Sequence, residues 1–248
     1  GSLSESAVDV VVANGRISDI LPTGSAGSAG ADRGGGRSTS DGTAGFRHID
    51  CSGRFISPGL VNLHAHSPMN IFRGIAEDVT PDDWFNREIW PYESKMEPGD
   101  VECGARLAIA EMLDYGVTAF ADHYFMADRI CTAVLDTGIR ADIAPTLFGM
   151  AGDFDAQLAE TEALIKEWNG RNGLLSLRLG PHSHYTCNPD QLKQCAELAA
   201  RLGVGVHLHV EDGKEQIAAS IEQYGKTPMQ VVADAGLTRL PLIIGHAY

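Results

Sequence analysis

Apolar and polar positions follow two different rhythms along this chain, and the rhythm changes near residue 58. Before that point the apolar residues fall in short period-two runs, Val8 to Ala13 and Arg16 to Pro22, separated by Asn14-Gly15, a dipeptide suited to a two-residue hairpin turn. His48-Ile49-Asp50 and Arg54-Phe55-Ile56 resume strand character. Between these runs, Gly24 to Gly45 carries Gly, Ser, Ala and Thr with almost no large apolar side chain. That stretch buries too little surface to order itself, so residues 24–45 are expected to form a flexible loop within an N-terminal β element spanning residues 1–57. Gly1-Ser2 reads as an expression scar.

Beyond Pro58 the period lengthens and alternates. An apolar strand runs into His64-Ala65-His66, and helical periodicity from Val101 to Leu113 stops near Gly116. A strand from Val117 to Asp122 ends at His123, and a helix near Ile130 to Thr137 precedes a strand from Arg140 to Leu147. A helix near Asp155 to Trp168 precedes a strand from Leu174 to Leu179, and a helix from Pro189 to Leu202 precedes one from Val204 to Val210. A helix near Lys214 to Tyr224, with a further turn at Pro228 to Ala235, precedes the strand Leu242 to Gly245. Strand followed by helix, repeated in this way, predicts an α/β fold with a parallel sheet.

Such a sheet closes either as an open doubly wound layer or as a (β/α)8 TIM-type barrel. His64, His66, His123, His182, His209 and His246 all fall at or just past strand carboxyl ends, the rim on which a barrel gathers its chemistry. No Gly-x-Gly-x-x-Gly run follows an early strand, so a dinucleotide-binding sheet has no support. The expectation is a barrel over residues 58–248, of which this chain holds the first six strand–helix units. Its C-terminal part is absent, and the chain reads as the front portion of something longer.

Composition narrows the partners. The 248 residues are 44% hydrophobic, enough for one large α/β domain with a small appendage. The formal charge of −14, from 33 acidic residues against 19 Lys and Arg, repels phosphate backbones and argues against a nucleic-acid polymer as partner. Five cysteines without C-x-x-C spacing read as reduced thiols of a cytoplasmic protein. No stretch approaches the roughly 20 apolar residues of a membrane span, and no signal pattern opens the chain, so a membrane partner is not expected.

The histidine spacing carries the chemistry. His64 and His66, at i and i+2 on a strand, project to one side and suit one divalent ion. His207 and His209 repeat the pattern, with His209 nearer the rim and so the better third ligand. Glu211 and Asp212 follow, and either is placed to take a proton from an activated water and hand it to a leaving nitrogen.

Four ordered motifs add a family resemblance: Pro58-Gly59-Leu60-Val61-Asn62-Leu63-His64-Ala65-His66, Gly180-Pro181-His182-Ser183-His184-Tyr185, His207-Leu208-His209-Val210-Glu211 and Gly245-His246-Ala247. Together they resemble the amidohydrolase superfamily over essentially the whole chain, and within it the methylthioadenosine/S-adenosylhomocysteine deaminase and triazine hydrolase branch. The resemblance implies one divalent ion, zinc first with iron or manganese as alternatives, held by His64, His66 and His209 with an aspartate from an eighth strand beyond Tyr248. It implies His246 at the activated water or tetrahedral intermediate, Glu211 as proton shuttle and His182 against the substrate ring. Trp84 and Glu93 would line a nucleoside pocket, the ring stacking on a heterocycle and the carboxylate accepting from ribose hydroxyls. The N-terminal β element would be completed as a composite β-sandwich by C-terminal strands.

The implied activity is metal-dependent hydrolytic deamination of a purine, pyrimidine or related nitrogen heterocycle or nucleoside through a metal-activated water. The same machinery hydrolysing a C–Cl or cyclic amide bond is the near alternative, and a non-catalytic metal- or ligand-binding barrel fragment the distant one. Partners would be the small heterocycle and either further copies of the chain or a second polypeptide completing the barrel. The chain departs from the family pattern in three respects. Asp212 stands three residues after His209, where the family places its Glu; His184 replaces a common Pro and no Arg follows the strand ending at Phe148; and the eighth-strand Asp that would complete the metal site is absent from the chain.

Overall fold

The computed structural model describes residues 6–25, 47–80 and 83–247. Two compact units divide the chain, Gly1–Ser57 and Pro58–Tyr248. In the first, β1 (Val8–Ala13) pairs antiparallel with β2 (Arg16–Pro22). Asn14 and Gly15 turn the hairpin with φ of 53° and 72°, the left-handed backbone that a tight two-residue connection needs. The strand character expected at residues 48–50 and 54–56 is not realised. Both segments lack regular structure, and Phe55 is 95% exposed. The cause is physical: an extended run is a strand only when another strand accepts its hydrogen bonds, and none pairs with these segments among the described residues. Gly1-Ser2 and most of the expected flexible loop, residues 26–45, lie outside the described residues.

In the second unit the alternating pattern becomes parallel strands in chain order. β3 (Leu60–Ala65), β4 (Val117–Tyr124), β5 (Arg140–Leu147) and β6 (Leu175–Leu177) lie side by side. β7 (Gly180–Pro181) returns to β5, and β8 (Val206–Val210) pairs with β9 (Leu242–His246). Parallel bridges Leu179↔Val206 and Ser183↔His209 join the two sets into a continuous succession. The single strand expected from Leu174 to Leu179 is broken in two. Leu175–Leu177 pairs with β5, Leu179 bridges to Val206 on the other side, and Gly180–Pro181 pairs with β5 again.

The helices start and stop where local chemistry allows. Pro98 opens α1 (Pro98–Asp114), where a missing N–H costs nothing, behind a capping box of Glu97 and Asp100. α2 (Ala127–Thr137) ends at Gly138, and α3 (Phe154–Trp168) is capped by the Asp153 carboxylate. Asn188 with Gln191, and Thr227 with Gln230, form capping boxes for α4 (Pro189–Leu202) and α6 (Pro228–Asp234). Between them, α5 (Lys214–Tyr224) ends at Gly225. The turn expected at Pro228 to Ala235 is therefore a short helix. Apolar faces of α1, α2 and α4, including Ile109, Ile130, Val134, Leu192 and Leu198, are buried in one core with Phe120, Ile143, Leu177 and Leu208 of the strands. No described helix is long and apolar enough to cross a membrane.

One buried carboxylate ties the strand ends together. Asp122 of β4 is fully buried and accepts from the Ser67 amide (2.9 Å), the His123 amide (3.1 Å) and the Ser67 hydroxyl. It thereby fixes the turn that follows His66. Burial pushes its pKa up to about 6 against the three donors, which pull it down. Asp122→Ala would strand two buried amides and is expected to cost about 2 kcal/mol or more, read as a lower urea midpoint with an unchanged m-value. An unchanged midpoint would show that the turn does not depend on this carboxylate.

Candidate metal centre

The alternation of side chains on β3 and β8 delivers the predicted histidines to one place. His64, His66 and His209 each offer a ring nitrogen, and these atoms lie within 4.8 Å of one another. The His66 Nδ1 atom is 2.7 Å from the His123 carbonyl oxygen, and His209 Nδ1 is 2.9 Å from the His182 carbonyl oxygen. A carbonyl only accepts, so both Nδ1 atoms carry the proton and both Nε2 atoms present a bare lone pair. Those two Nε2 atoms face each other at 3.3 Å, where no hydrogen bond is possible without a further proton. A tetrahedral zinc with bonds of about 2.0–2.1 Å has a nitrogen-to-nitrogen edge of about 3.3–3.4 Å. His64 Nε2 is buried with no partner, an orphan that a third bond to the same ion would satisfy. The donor set fits a divalent ion of zinc type.

Close packing leaves little freedom around these rings. A Cβ on Gly245 of β9 would lie 2.6 Å from Cε1 of His64 and 3.1 Å from Cδ2 of His209, so only glycine fits there. A Cβ on Gly104 would strike the Pro68 carbonyl, so that glycine lets α1 press against the turn after His66.

Burial holds the ligands neutral, as metal binding requires. Burial first, then neighbouring histidines, lowers His64 to about 4. His182 and His207 are each lowered to about 3, also chiefly by burial. His66, His123 and His209 are lowered from the same leading cause.

The other predicted residues are placed unevenly. The His246 ring stacks on His209 at 5.3 Å and 24°, and meets His64 edge-on at 5.3 Å. His182 lies 4.8 Å from His209, with the Phe148 ring tilted against it at 4.7 Å and Tyr185 edge-on at 5.8 Å. Glu93 is buried and accepts from the Tyr124 hydroxyl at 2.6 Å, and burial raises its pKa. Trp84 is 37% exposed at the start of a π-helical turn, Trp84–Ile89, and no ring contact described for it reaches the histidines. Glu211 takes a left-handed φ of 58°, just past the end of β8. Asp212 accepts from the Tyr185 hydroxyl at 2.8 Å, and its Oδ1 is buried without a partner.

Sequence reasoning gave no role to Tyr185, Phe148, Tyr124 or Thr146, whose hydroxyl is 2.9 Å from His123 Nδ1. Tyr185 lies inside a quoted motif and Tyr124 beside a strand-end histidine, so position was the available signal. Phe148 and Thr146 reach the site only through the sheet.

Fold and site together define a class: α/β proteins of TIM-barrel type with a group of strand-end histidines whose ring nitrogens could hold one ion. Residues 55–246 match the amidohydrolase family, and the chain belongs to it. It is 42% identical over 199 residues to a 5-methylthioadenosine/S-adenosylhomocysteine deaminase of Symbiobacterium thermophilum, covering 79% of this chain and 46% of that protein. An adenosine deaminase from Xanthomonas campestris, solved with bound zinc, matches with a TM-score of 0.80 at 30% identity, over 96% of this chain and 52% of that one. A triazine hydrolase from Arthrobacter aurescens matches with a TM-score of 0.68 at 25% identity, over 77% and 48% respectively. The chain spans about half the length of the curated relatives it matches.

Buried neutral histidines make stability depend on acid. An ordinary histidine titrates at 6.5 and His64 in the fold at about 4, so between these values the unfolded chain binds protons that the folded chain does not. Stability is therefore full above 6.5 and is lost as pH falls through the folded values. Several histidines shift in the same direction, so the urea midpoint of the metal-free protein is expected to drop between about pH 6.5 and about pH 4 with a slope of more than one proton. A flat midpoint over this window would contradict the neutral, buried cluster.

Proposed function

We propose that this chain is the ion-binding part of a hydrolytic deaminase acting on a purine, pyrimidine or related nitrogen heterocycle, free or as its nucleoside. The observation that carries the reading is the pair of His66 and His209 Nε2 lone pairs facing each other at 3.3 Å, with both Nδ1 protons committed to backbone carbonyls. The deaminase names of the Symbiobacterium and Xanthomonas proteins support the reaction class. One ion is proposed, zinc by analogy with the Xanthomonas structure, held by His64, His66 and His209 with an aspartate from a further strand. When bound, such an ion supplies acidification of water near neutral pH.

The chain's own residues then have separate tasks. In the net reaction the water oxygen adds to the ring carbon bearing the exocyclic amine, the C–N bond breaks, ammonia leaves and a carbonyl remains. A carboxylate must take a proton from the water as a base and then, as the acid so formed, return one to the amine nitrogen. Glu211 and Asp212 are the two candidates, and two features favour Asp212. Its Oδ2 is anchored by Tyr185, and its Oδ1 is buried without a protein partner, an acceptor left open to a donor from the substrate side. His246, stacked on His209 at the rim, is suited to hydrogen-bond the oxygen that adds. His182 is oriented by Thr186 at 3.0 Å and is proposed to meet the heterocycle between Phe148 and Tyr185. Glu93 would accept from substrate hydroxyls and Trp84 would stack on the ring.

The assembly proposal follows the same reading. Residues 58–248 would be six units of a barrel completed by further strand–helix units, from a longer polypeptide or a second chain, with homo-oligomers as an option. Residues 1–57 would contribute to a composite β-sandwich. Cysteine usage supports a cytoplasmic setting.

The test is ammonia and chloride release from aminopurines, their nucleosides and chlorotriazines by the zinc-loaded assembly, this chain together with the strand–helix units that complete its barrel. Ammonia from an amino-heterocycle is expected. Asp212→Asn is expected to lower kcat by about 10²–10⁴ and Glu211→Gln to leave it nearly unchanged; the reverse ranking moves the proton to Glu211. Chloride without ammonia would replace deamination by C–Cl hydrolysis. Zinc binding without turnover of any of them would leave a metal-binding module.

Glu93→Gln is expected to raise KM for nucleosides about tenfold while leaving KM for the free bases unchanged, measured as paired saturation curves. Equal effects on both would remove Glu93 from ribose recognition.

A further inference from the structure

The three histidines of the candidate metal centre do not hold their tautomers in the same way. His66 and His209 give their Nδ1 protons to main-chain carbonyls, which accept and cannot donate. The His64 Nδ1 atom instead lies 2.9 Å from Nε2 of another imidazole, His207. His207 precedes His209 by two positions on β8, so it points to the same side of the sheet and lies about 6–7 Å along the strand from it. It is fully buried, its ring 5.1 Å from that of His64.

Two neutral imidazoles at this distance share one N–H, and the side on which that proton sits decides what His64 can do. With the proton on His64 Nδ1, His64 Nε2 is a bare lone pair. With the proton on His207 Nε2, His64 accepts, its own proton moves to Nε2, and that nitrogen cannot ligate. His64 Nε2 and His207 Nδ1 are both buried without a protein partner. In the first arrangement an ion satisfies His64, and only the His207 Nδ1–H remains unpaired. In the second, the His64 Nε2–H and the His207 Nδ1 lone pair are both unpaired. Buried polar groups cost least when fewest are left unmade, so the first arrangement wins once an ion is present.

We infer that His207 is a positioning residue for the metal centre: its Nε2 accepts the Nδ1 proton of His64 and fixes His64 in the tautomer whose Nε2 ligates. The inference rests on His64, His66 and His209 being the ion-binding group. His207 supplies the one tautomer anchor of the three that a side-chain substitution removes, because the other two are main-chain oxygens.

Zinc affinity, measured on the purified chain by competition with a chromophoric chelator, tests both levels separately. The unsubstituted protein is expected to bind one zinc. His207→Leu, which fills the space without an acceptor, is expected to bind zinc about 10- to 100-fold more weakly. His207→Gln, whose amide oxygen accepts, is expected to recover most of the loss, which a purely space-filling role would not produce. His207→Leu binding zinc as tightly as the unsubstituted chain, with an unchanged circular dichroism spectrum, would overturn the role of His207 alone. Failure of the unsubstituted chain to bind zinc would overturn the ion-binding group itself. Should the leucine variant not fold, nitrogen-15 imidazole spectra of the unsubstituted zinc-loaded chain decide the matter. A proton on His64 Nδ1 bears out the inference, and a proton on His64 Nε2 overturns it.

Discussion

Two lone pairs held face to face at 3.3 Å are the constraint on which the rest of this structure turns. Left alone, the Nε2 atoms of His66 and His209 repel each other, and each ring would gain by rotating away. They stay because each ring is pinned through its other nitrogen to a main-chain oxygen, of His123 at the end of β4 and of His182 just past β7. Those oxygens are positioned by parallel pairing, Ala65 opposite Asp122 and Ser183 opposite His209. A slip of one residue in either register would turn every side chain of that strand to the other face and separate the nitrogens. The ladder and the histidine group are thus one device.

The same arrangement explains an interior that would otherwise be poor. His123, His207 and His209 are buried in the region where neighbouring strands present Phe120, Leu177 and Leu208. Neutral imidazoles are tolerable there only if their nitrogens find partners, and several find them locally: His123 with Thr146, His182 with Thr186, His64 with His207. Three ring nitrogens, His64 Nε2, His123 Nε2 and His207 Nδ1, are left buried without a protein partner.

Much of this was legible in the chain, for reasons that differ by element. β5 and α4 match their expected ranges because apolar period, capping residues and breakers coincide: Asn188 caps and Gly203 stops α4. The His64/His66 and His207/His209 pairs were legible because period two on a strand is rigid. What was hidden depends on partners distant in sequence. Residues 48–50 and 54–56 have strand composition, but composition supplies no neighbour. Leu174 to Leu179 reads as one strand because nothing local reports that Leu179 bridges to Val206 while Gly180–Pro181 returns to β5. The contact from His64 to His207 spans 143 positions and leaves no local trace.

One backbone angle sets how far the period of β8 reaches toward Glu211 and Asp212. Were β8 to continue, Glu211 would share a face with His209 and point at the rim, while Asp212 would point away. The strand ends at Val210, and Glu211 enters the left-handed region at φ 58°, which costs a residue with a Cβ about 1 kcal/mol. Period two stops applying at that residue, and the direction of the next side chain is set by the turn. Asp212 is then the acid that meets Tyr185 from the His182 segment and keeps one oxygen buried and unpaired. β9 ends in the same manner, with His246 and Ala247 at φ 73° and 54°. Left-handed backbone at both strand ends, in residues that do not favour it, concentrates strain where the proposed proton carrier and the stacked His246 lie, and such strain persists only where the surrounding structure holds it.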